Sequence, residues 1–261
     1  MNTLTLFERN LEIATAELVK LQGKSVKILD IINIFFDGIT KEPIMLEDFT
    51  QIEGEKNAIV LLGQSCTGKS TYAKEFIRKH PEFEYISMDE CAFREYKKLG
   101  QVYIDIDDFM NSNLGNREMG VAIEKGNNII LDACWLHINS RSALLKTLRQ
   151  FGYKTYAFYF WPTEEIHNQM IISRNIQQTA RCILNGEFNF EKVDWVSKYQ
   201  EIFHYSREEA INSIQSSDLF KEKLNNERNL IYNEYISSGF ENQIRDRYFF
   251  ASFDYVYIIE V

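Results

Sequence analysis

Asn57-Ala-Ile-Val-Leu-Leu62-Gly63-Gln-Ser-Cys-Thr-Gly68-Lys69-Ser70-Thr-Tyr-Ala-Lys-Glu-Phe-Ile-Arg-Lys79 is the stretch that decides the fold. Its first six residues are a short apolar run that fits a buried parallel strand. Its last ten, with Tyr72, Ala73, Phe76 and Ile77 at helical spacing, fit a helix. Between them, Gly63 to Ser70 satisfies G-x-x-x-x-G-K-[ST], the phosphate-binding loop of nucleoside triphosphatases and kinases. Strand, glycine loop and helix in that order are the context the motif requires.

The chemistry follows from the loop's geometry. Gly63 and Gly68 let the backbone curl so that successive N–H groups converge ahead of a helix N-terminus, whose partial positive charge favours an anion. Lys69 then reaches the β- and γ-phosphates, and the Ser70 hydroxyl takes a position on Mg2+. The nucleotide-binding set is Gly63, Gln64, Ser65, Cys66, Thr67, Gly68, Lys69, Ser70 and Thr71.

Working outward, the 261 residues suffice for one substantial domain with a helical addition. Apolar residues make up 45% and charged residues 26%, an ordinary globular balance. No apolar run approaches the roughly 18 residues of a membrane span. The N-terminus has no basic-then-apolar signal pattern, so a cytoplasmic location is expected. Cys66, Cys91, Cys134 and Cys182 are scattered without a C-x-x-C pair, and they read as free thiols of a reducing compartment. The four histidines show no metal-ligand spacing. A formal net charge of −9 disfavours broad nucleic-acid binding, which depends on Lys and Arg neutralising phosphates. It leaves room for a basic tunnel that accepts a single strand end.

Leu4, Phe7, Leu11, Ala14, Leu18 and Leu21 recur at three- and four-residue steps, which predicts an amphipathic helix over 3–22 ending at Gly23. Such a helix packs on its own domain or docks a protein partner. Residues 1–56 are therefore read as an N-terminal helical extension and 57–261 as the nucleotide-binding domain. From residue 57 onward strand and helix patterns alternate, the signature of a parallel α/β sheet. Strands are expected at 57–62, 84–88, 128–132, 154–160 and 255–259, with helices at 140–151 and 164–173 among those between them. A polar, aromatic, mostly helical stretch at about 190–248 reads as an insertion before the fifth strand.

Ligands of open α/β sheets sit beyond the carboxyl ends of the strands. After the second strand comes Ser87-Met-Asp89-Glu90, and after the third Asp132. Two acidic strand ends beside a phosphate loop suit phosphoryl transfer, one holding the metal or its waters and the other accepting the proton of the attacking hydroxyl. Tyr103-Ile-Asp105-Ile-Asp107-Asp108 resembles the D-x-D start of haloacid-dehalogenase phosphatases. It lacks the Gly-Thr that should follow and lies inside the α/β unit, so Asp107 or Asp108 is read as a helix cap.

Over residues 57–182 the chain resembles the P-loop kinases that include the zeta toxin and polynucleotide kinase families. The resemblance rests on the loop, on Ile86-Ser-Met-Asp89-Glu-Cys-Ala-Phe-Arg94, on Gly126-Asn-Asn-Ile-Ile-Leu-Asp132 with Arg141 in the helix that follows, and on Pro162-Thr-Glu-Glu165 followed by Arg174 and Arg181. It implies that Asp89 is the general base, that Arg94 and Arg141 touch substrate, that Asp132 serves the metal, and that Arg174 and Arg181 form a lid on the transferring phosphoryl group. Arginine's forked, permanent charge suits phosphate oxygens, and a seven-residue separation puts both lid residues on one face of a continuous helix. Two features depart from the family pattern. Asp89 and Arg94 are five apart where about three is expected, and Ala-Cys-Trp follows Asp132 where polynucleotide-kinase-like proteins tend to carry Thr-Asn.

The expected activity is transfer of the γ-phosphate of ATP, with Mg2+, to a hydroxyl of a small metabolite, nucleotide sugar or nucleotide. The alternatives are a 5′-hydroxyl polynucleotide kinase and an NTPase whose hydrolysis drives a conformational switch. ATP rather than GTP is implied by the resemblance alone, and no guanine-reading N-K-x-D motif occurs.

Overall fold

A computed structural model describes residues 40–41, 56–98, 114–187, 193–239 and 253–260. Its centre is a six-stranded, all-parallel sheet. In chain order the strands are β1 (Thr40–Lys41), β2 (Lys56–Leu62), β3 (Phe83–Ser87), β4 (Asn128–Asp132), β5 (Tyr153–Trp161) and β6 (Tyr255–Glu260). In space they run β1-β6-β5-β2-β4-β3. The chain leaves β2 for the β3 edge, returns through β4, and then crosses to β5 on the other side of β2. The crevice where a parallel sheet binds its ligand therefore lies at the carboxyl end of β2.

Ala58 to Leu62 are all at 0% exposure, covered on both faces by helices. That is why this strand reads as an unbroken apolar run rather than an alternation. Its side chains divide between two cores. Ala58, Val60 and Leu62 pack with Leu144, Leu145 and Leu148, while Ile59 and Leu61 pack with Ala73 and Phe76. Register sets the height of the site: Leu61 lies level with Asp132, and Asp132 level with Ser87. The phosphate loop, the end of β3 and the end of β4 thus leave the sheet on one edge.

The helices are α1 (Lys69–Lys79), α2 (Met88–Lys98), α3 (Leu114–Lys125), α4 (Ile138–Gln150), α5 (Glu164–Ile183), α6 (Trp195–Phe203), α7 (Arg207–Ser216) and α8 (Asp218–Ser237). The last three fall within the expected 190–248 insertion. With α5 they enclose a separate small core of Ile176, Ala180, Val196, Tyr199, Ala210, Ile214 and Phe220.

Three sequence expectations change. The two-residue β1 adds a sixth strand, contributed by the segment read as a helical extension. The helix expected at 164–173 continues to Ile183. Thr163 caps its start by accepting from Ile166 N, and nothing between Asn175 and Ile183 breaks helical pattern before the turn in which Gly186 N reaches Arg181 O. The second strand of the expected set, β3, stops at Ser87 instead of Met88, and Asp89 sits in the first turn of α2. The helix expected over 3–22 and the Tyr103–Asp108 segment lie outside the described residues.

Candidate functional site

The loop between β2 and α1 is bent where the motif places its glycines. Gly63 has φ 135° and Gly68 φ 85°, both in the region that favours glycine, and Gly68 forms the N-cap of α1. Cys66, at the tip, takes φ 61° without being glycine, a strained geometry characteristic of ligand-binding turns. A Cβ on Gly63 would stand 2.9 Å from the Phe160 carbonyl oxygen, which is fixed within β5. Gly63→Ala is therefore expected to cost about 2 kcal/mol or more in stability through strain and clash together. A lowered denaturant midpoint measures that cost.

Lys69 folds back beneath the loop. Its ammonium donates to Gly63 O at 2.9 Å and to Gln64 O, with Thr67 Oγ1 at 3.4 Å and Cys134 Sγ at 3.8 Å. Thr67, also buried, donates its hydroxyl to Gln64 O at 2.9 Å. Two braces come from outside the loop. His167 Nε2 meets Ser65 O at 2.8 Å from α5, and the segment after β4 touches the loop through Gly63 N to Cys134 O at 3.3 Å. Ser70 and Thr71 remain exposed at the start of α1.

Ser87, rather than Asp89, caps α2, with Glu90 N donating to Ser87 Oγ at 3.3 Å. The Asp89 carboxylate is left to the cleft, and it takes no hydrogen bond from any described residue. It is open to solvent, yet protein surrounds it on most sides. Desolvation raises its pKa and the neighbouring Asp132 adds to the rise, while Arg174 and Lys69 pull the other way. Asp132 is buried at the end of β4 and accepts from the Tyr85 hydroxyl at 2.7 Å. The burial of Tyr85 and the Asp132 charge push that phenol well above its ordinary range, so it stays a donor. The Asp132 carboxylate and the Ser70 hydroxyl are hard oxygens of the type Mg2+ takes beside phosphates and waters. No cluster of three His, Cys, Asp or Glu able to hold a metal occurs among the described residues. A cation held by one or two protein oxygens fits that arrangement.

The four arginines divide. Arg174 on α5 reaches the loop tip, with Nη1 3.2 Å from Cys66 Sγ, and its charge is felt at Asp89. Arg181 lies on the same helix, half-buried, with its Nη2 4.0 Å from Cys182 Sγ. Arg94 is held by Glu118 of α3, with Cys91 Sγ at 3.3 Å from the same Nη2. That pairing turns it toward α3. Arg141 requires a correction. It is 2% exposed, and its Nη1 donates to Trp135 O at 2.8 Å and Leu136 O at 3.3 Å. Burial lowers its pKa to about 10. Arg141 thus ties down the loop after β4 from within. Arg141→Met is expected to cost about 2 kcal/mol by orphaning two carbonyls, read as a lower unfolding midpoint.

Sequence reasoning missed the residues that α8 brings to the loop. Glu227 Oε1 lies 3.5 Å from both Cys66 Sγ and Arg174 Nη1. Glu234, two turns along, meets the Cys134 thiol. Burial raises its carboxyl, the Cys134 contact and the Lys69 and His137 charges lower it, and Asp89 raises it again. Burial likewise pushes the Cys134 thiol up to about 11, so it faces the loop as a neutral group. The one available signal was the seven-residue spacing of Glu227 and Glu234 on a helix, and no motif marks such a pair.

Residues 59–185 match a family model described as an AAA domain. The resemblance to P-loop kinases is borne out over that segment, which holds the loop, Asp89, Asp132 and Arg174. No curated protein matches the chain. Two solved structures are similar to it. A candidate kinase from Chloroflexus aurantiacus is 14% identical over 48% of this chain and 70% of its own, with a TM-score of 0.40. A structure from the PezAT chromosomal toxin–antitoxin system of Streptococcus pneumoniae is 16% identical over 88% of this chain and 97% of its own, at 0.41. At those values neither likeness carries an argument about function. No described helix is long and apolar enough to cross a membrane.

Proposed function

We propose that the chain is a cytoplasmic phosphotransferase that moves the γ-phosphoryl group of ATP to a hydroxyl of a small metabolite, nucleotide sugar or nucleotide. One observation carries the reading beyond nucleotide binding. A carboxylate with a raised pKa, Asp89, stands in the cleft where the charges of Lys69, Arg174 and Asp132 are all felt. Titratable groups so perturbed beside a phosphate loop mark proton-transfer chemistry.

In this reading the loop N–H groups and Lys69 bind the β- and γ-phosphates, and Lys69 exchanges its bonds to Gly63 O and Gln64 O for phosphate oxygens. Ser70 and Asp132 would hold Mg2+, which would supply positive charge to neutralise the polyphosphate. Asp89 takes the proton from the acceptor hydroxyl as its oxygen bonds to the γ-phosphorus. The bond from that phosphorus to the bridging oxygen of ADP breaks, and ADP leaves with the electron pair. Arg174 stabilises charge on the transferring group. The net charge of −9 favours a small acceptor over a nucleic-acid end.

The test is transfer of label from γ-labelled ATP with Mg2+ to a panel of nucleosides, nucleotide sugars, amino sugars and 5′-hydroxyl oligonucleotides. Label on one acceptor class, lost in Lys69→Ala and Asp89→Asn, is the expected result. Label found solely in free phosphate, unchanged in Asp89→Asn, overturns it in favour of an NTPase.

A further inference from the structure

Helix α8 has no counterpart in the motifs, yet it is anchored across the mouth of the loop. Phe220 near its start is buried in the helical core, and Tyr235 near its end packs against the core beneath the sheet. Between them Arg228 Nη2 donates to Asn168 Oδ1 on α5 at 2.7 Å. These attachments hold Glu227 over the loop tip, where its Oε1 is 3.5 Å from Cys66 Sγ and 3.5 Å from Arg174 Nη1. Glu227 is only 20% exposed, so its position is set by packing rather than by a swinging surface chain.

A carboxylate at this point is unexpected on electrostatic grounds. Loop N–H groups and a helix N-terminus create a site for a bound anion, and Arg174 adds a forked cation to it. Here the chain supplies an anion of its own. A nucleoside triphosphate carries several negative charges and more acceptor oxygens than one carboxylate, so it outcompetes Glu227 for the guanidinium.

We propose that Glu227 is an internal competitor at the nucleotide site: it pairs with Arg174 at the loop tip and yields the guanidinium to the polyphosphate when nucleotide binds. The proposal rests on the nucleotide-binding reading above. It fixes a sign that a structural ion pair does not share. A brace that merely orders the site weakens nucleotide binding when removed, whereas a competitor strengthens it.

The experiment is direct binding of ATP with Mg2+ to the full chain, comparing wild type with Glu227→Gln, Lys69→Ala and the exposed same-helix control Glu222→Gln. Glu227→Gln is expected to bind roughly fivefold more tightly, the scale of one partly exposed ion pair, and Glu222→Gln as wild type. In an Arg174→Met background the gain is expected to vanish, which separates pairing from simple removal of charge. Should Glu227→Gln fail to fold by circular dichroism, Glu227→Asp, one methylene shorter, carries the same expected sign. Unchanged or weaker binding in the folded variant, with Lys69→Ala still losing binding, overturns the proposal and leaves nucleotide binding intact. No binding by the wild type removes the nucleotide reading and the proposal with it.

Discussion

Lys69→Ala is expected to lower phosphoryl transfer about a thousandfold, the scale on which a single preorganised charge aimed at a transferring phosphoryl group acts. The structure gives a reason to expect so large a loss at one position. The ammonium is buried under the loop, its distance to Gly63 O is 2.9 Å, and it needs only to exchange carbonyl partners for phosphate oxygens. Little reorganisation accompanies that exchange, and no other described lysine is placed beneath the loop. The same geometry limits the effect on folding. Truncation removes one donor from each of the Gly63 and Gln64 carbonyls, and Gln64 O keeps the Thr67 hydroxyl, so the cost is about 2 kcal/mol or less. Measuring kcat alongside the thermal midpoint separates the two: a large fall in kcat with a small shift in midpoint supports the assignment. Near-wild-type turnover in a folded Lys69→Ala protein removes Lys69 from the site.

The sheet was legible because parallel strands buried on both faces leave a strong signal. Asn57–Leu62 and Ile129–Leu131 are continuous apolar runs, each leading to a residue of the cleft. The loop was legible for a related reason: only glycine relieves the positive φ at positions 63 and 68, so backbone geometry is written directly into residue type. Arg141 was misread because sequence spacing places a residue on a helix but does not say which face turns inward. Burial of an arginine depends on two carbonyls, Trp135 O and Leu136 O, whose positions are set by the tertiary fold. The strand before Asp89 was expected to run to Met88, whereas Ser87 ends it and caps the helix, so Asp89 stands in the first turn of α2. The carboxylates of α8 were not legible at all. They reach the loop only because a distant helix folds back across it, a contact between residue 66 and residue 227 that local pattern does not encode.

Asp89→Asn is expected to have two effects of opposite direction. Transfer falls by about 10²- to 10⁴-fold, the contribution of a positioned general base, because the amide cannot take the acceptor's proton. Stability at neutral pH rises. Desolvation and the Asp132 charge hold the folded-state pKa of Asp89 above its value in the unfolded chain. Between the two values the folded protein keeps a proton that the unfolded chain has released. Stability therefore falls as pH rises through that window, and the ionised carboxylate destabilises the fold at every higher pH. Asparagine removes that penalty. The excess stability of Asp89→Asn over wild type is thus expected to be largest near pH 7 and to shrink below about pH 4, where the carboxyl of the unfolded chain is itself protonated. Thermal midpoints of both proteins across pH 3 to 8, read beside label transfer, check the pair of effects. A base that is costly to the fold and indispensable to turnover shows both. An aspartate that merely caps or solvates α2 loses stability on substitution, and that result, with transfer intact, removes Asp89 from the chemistry.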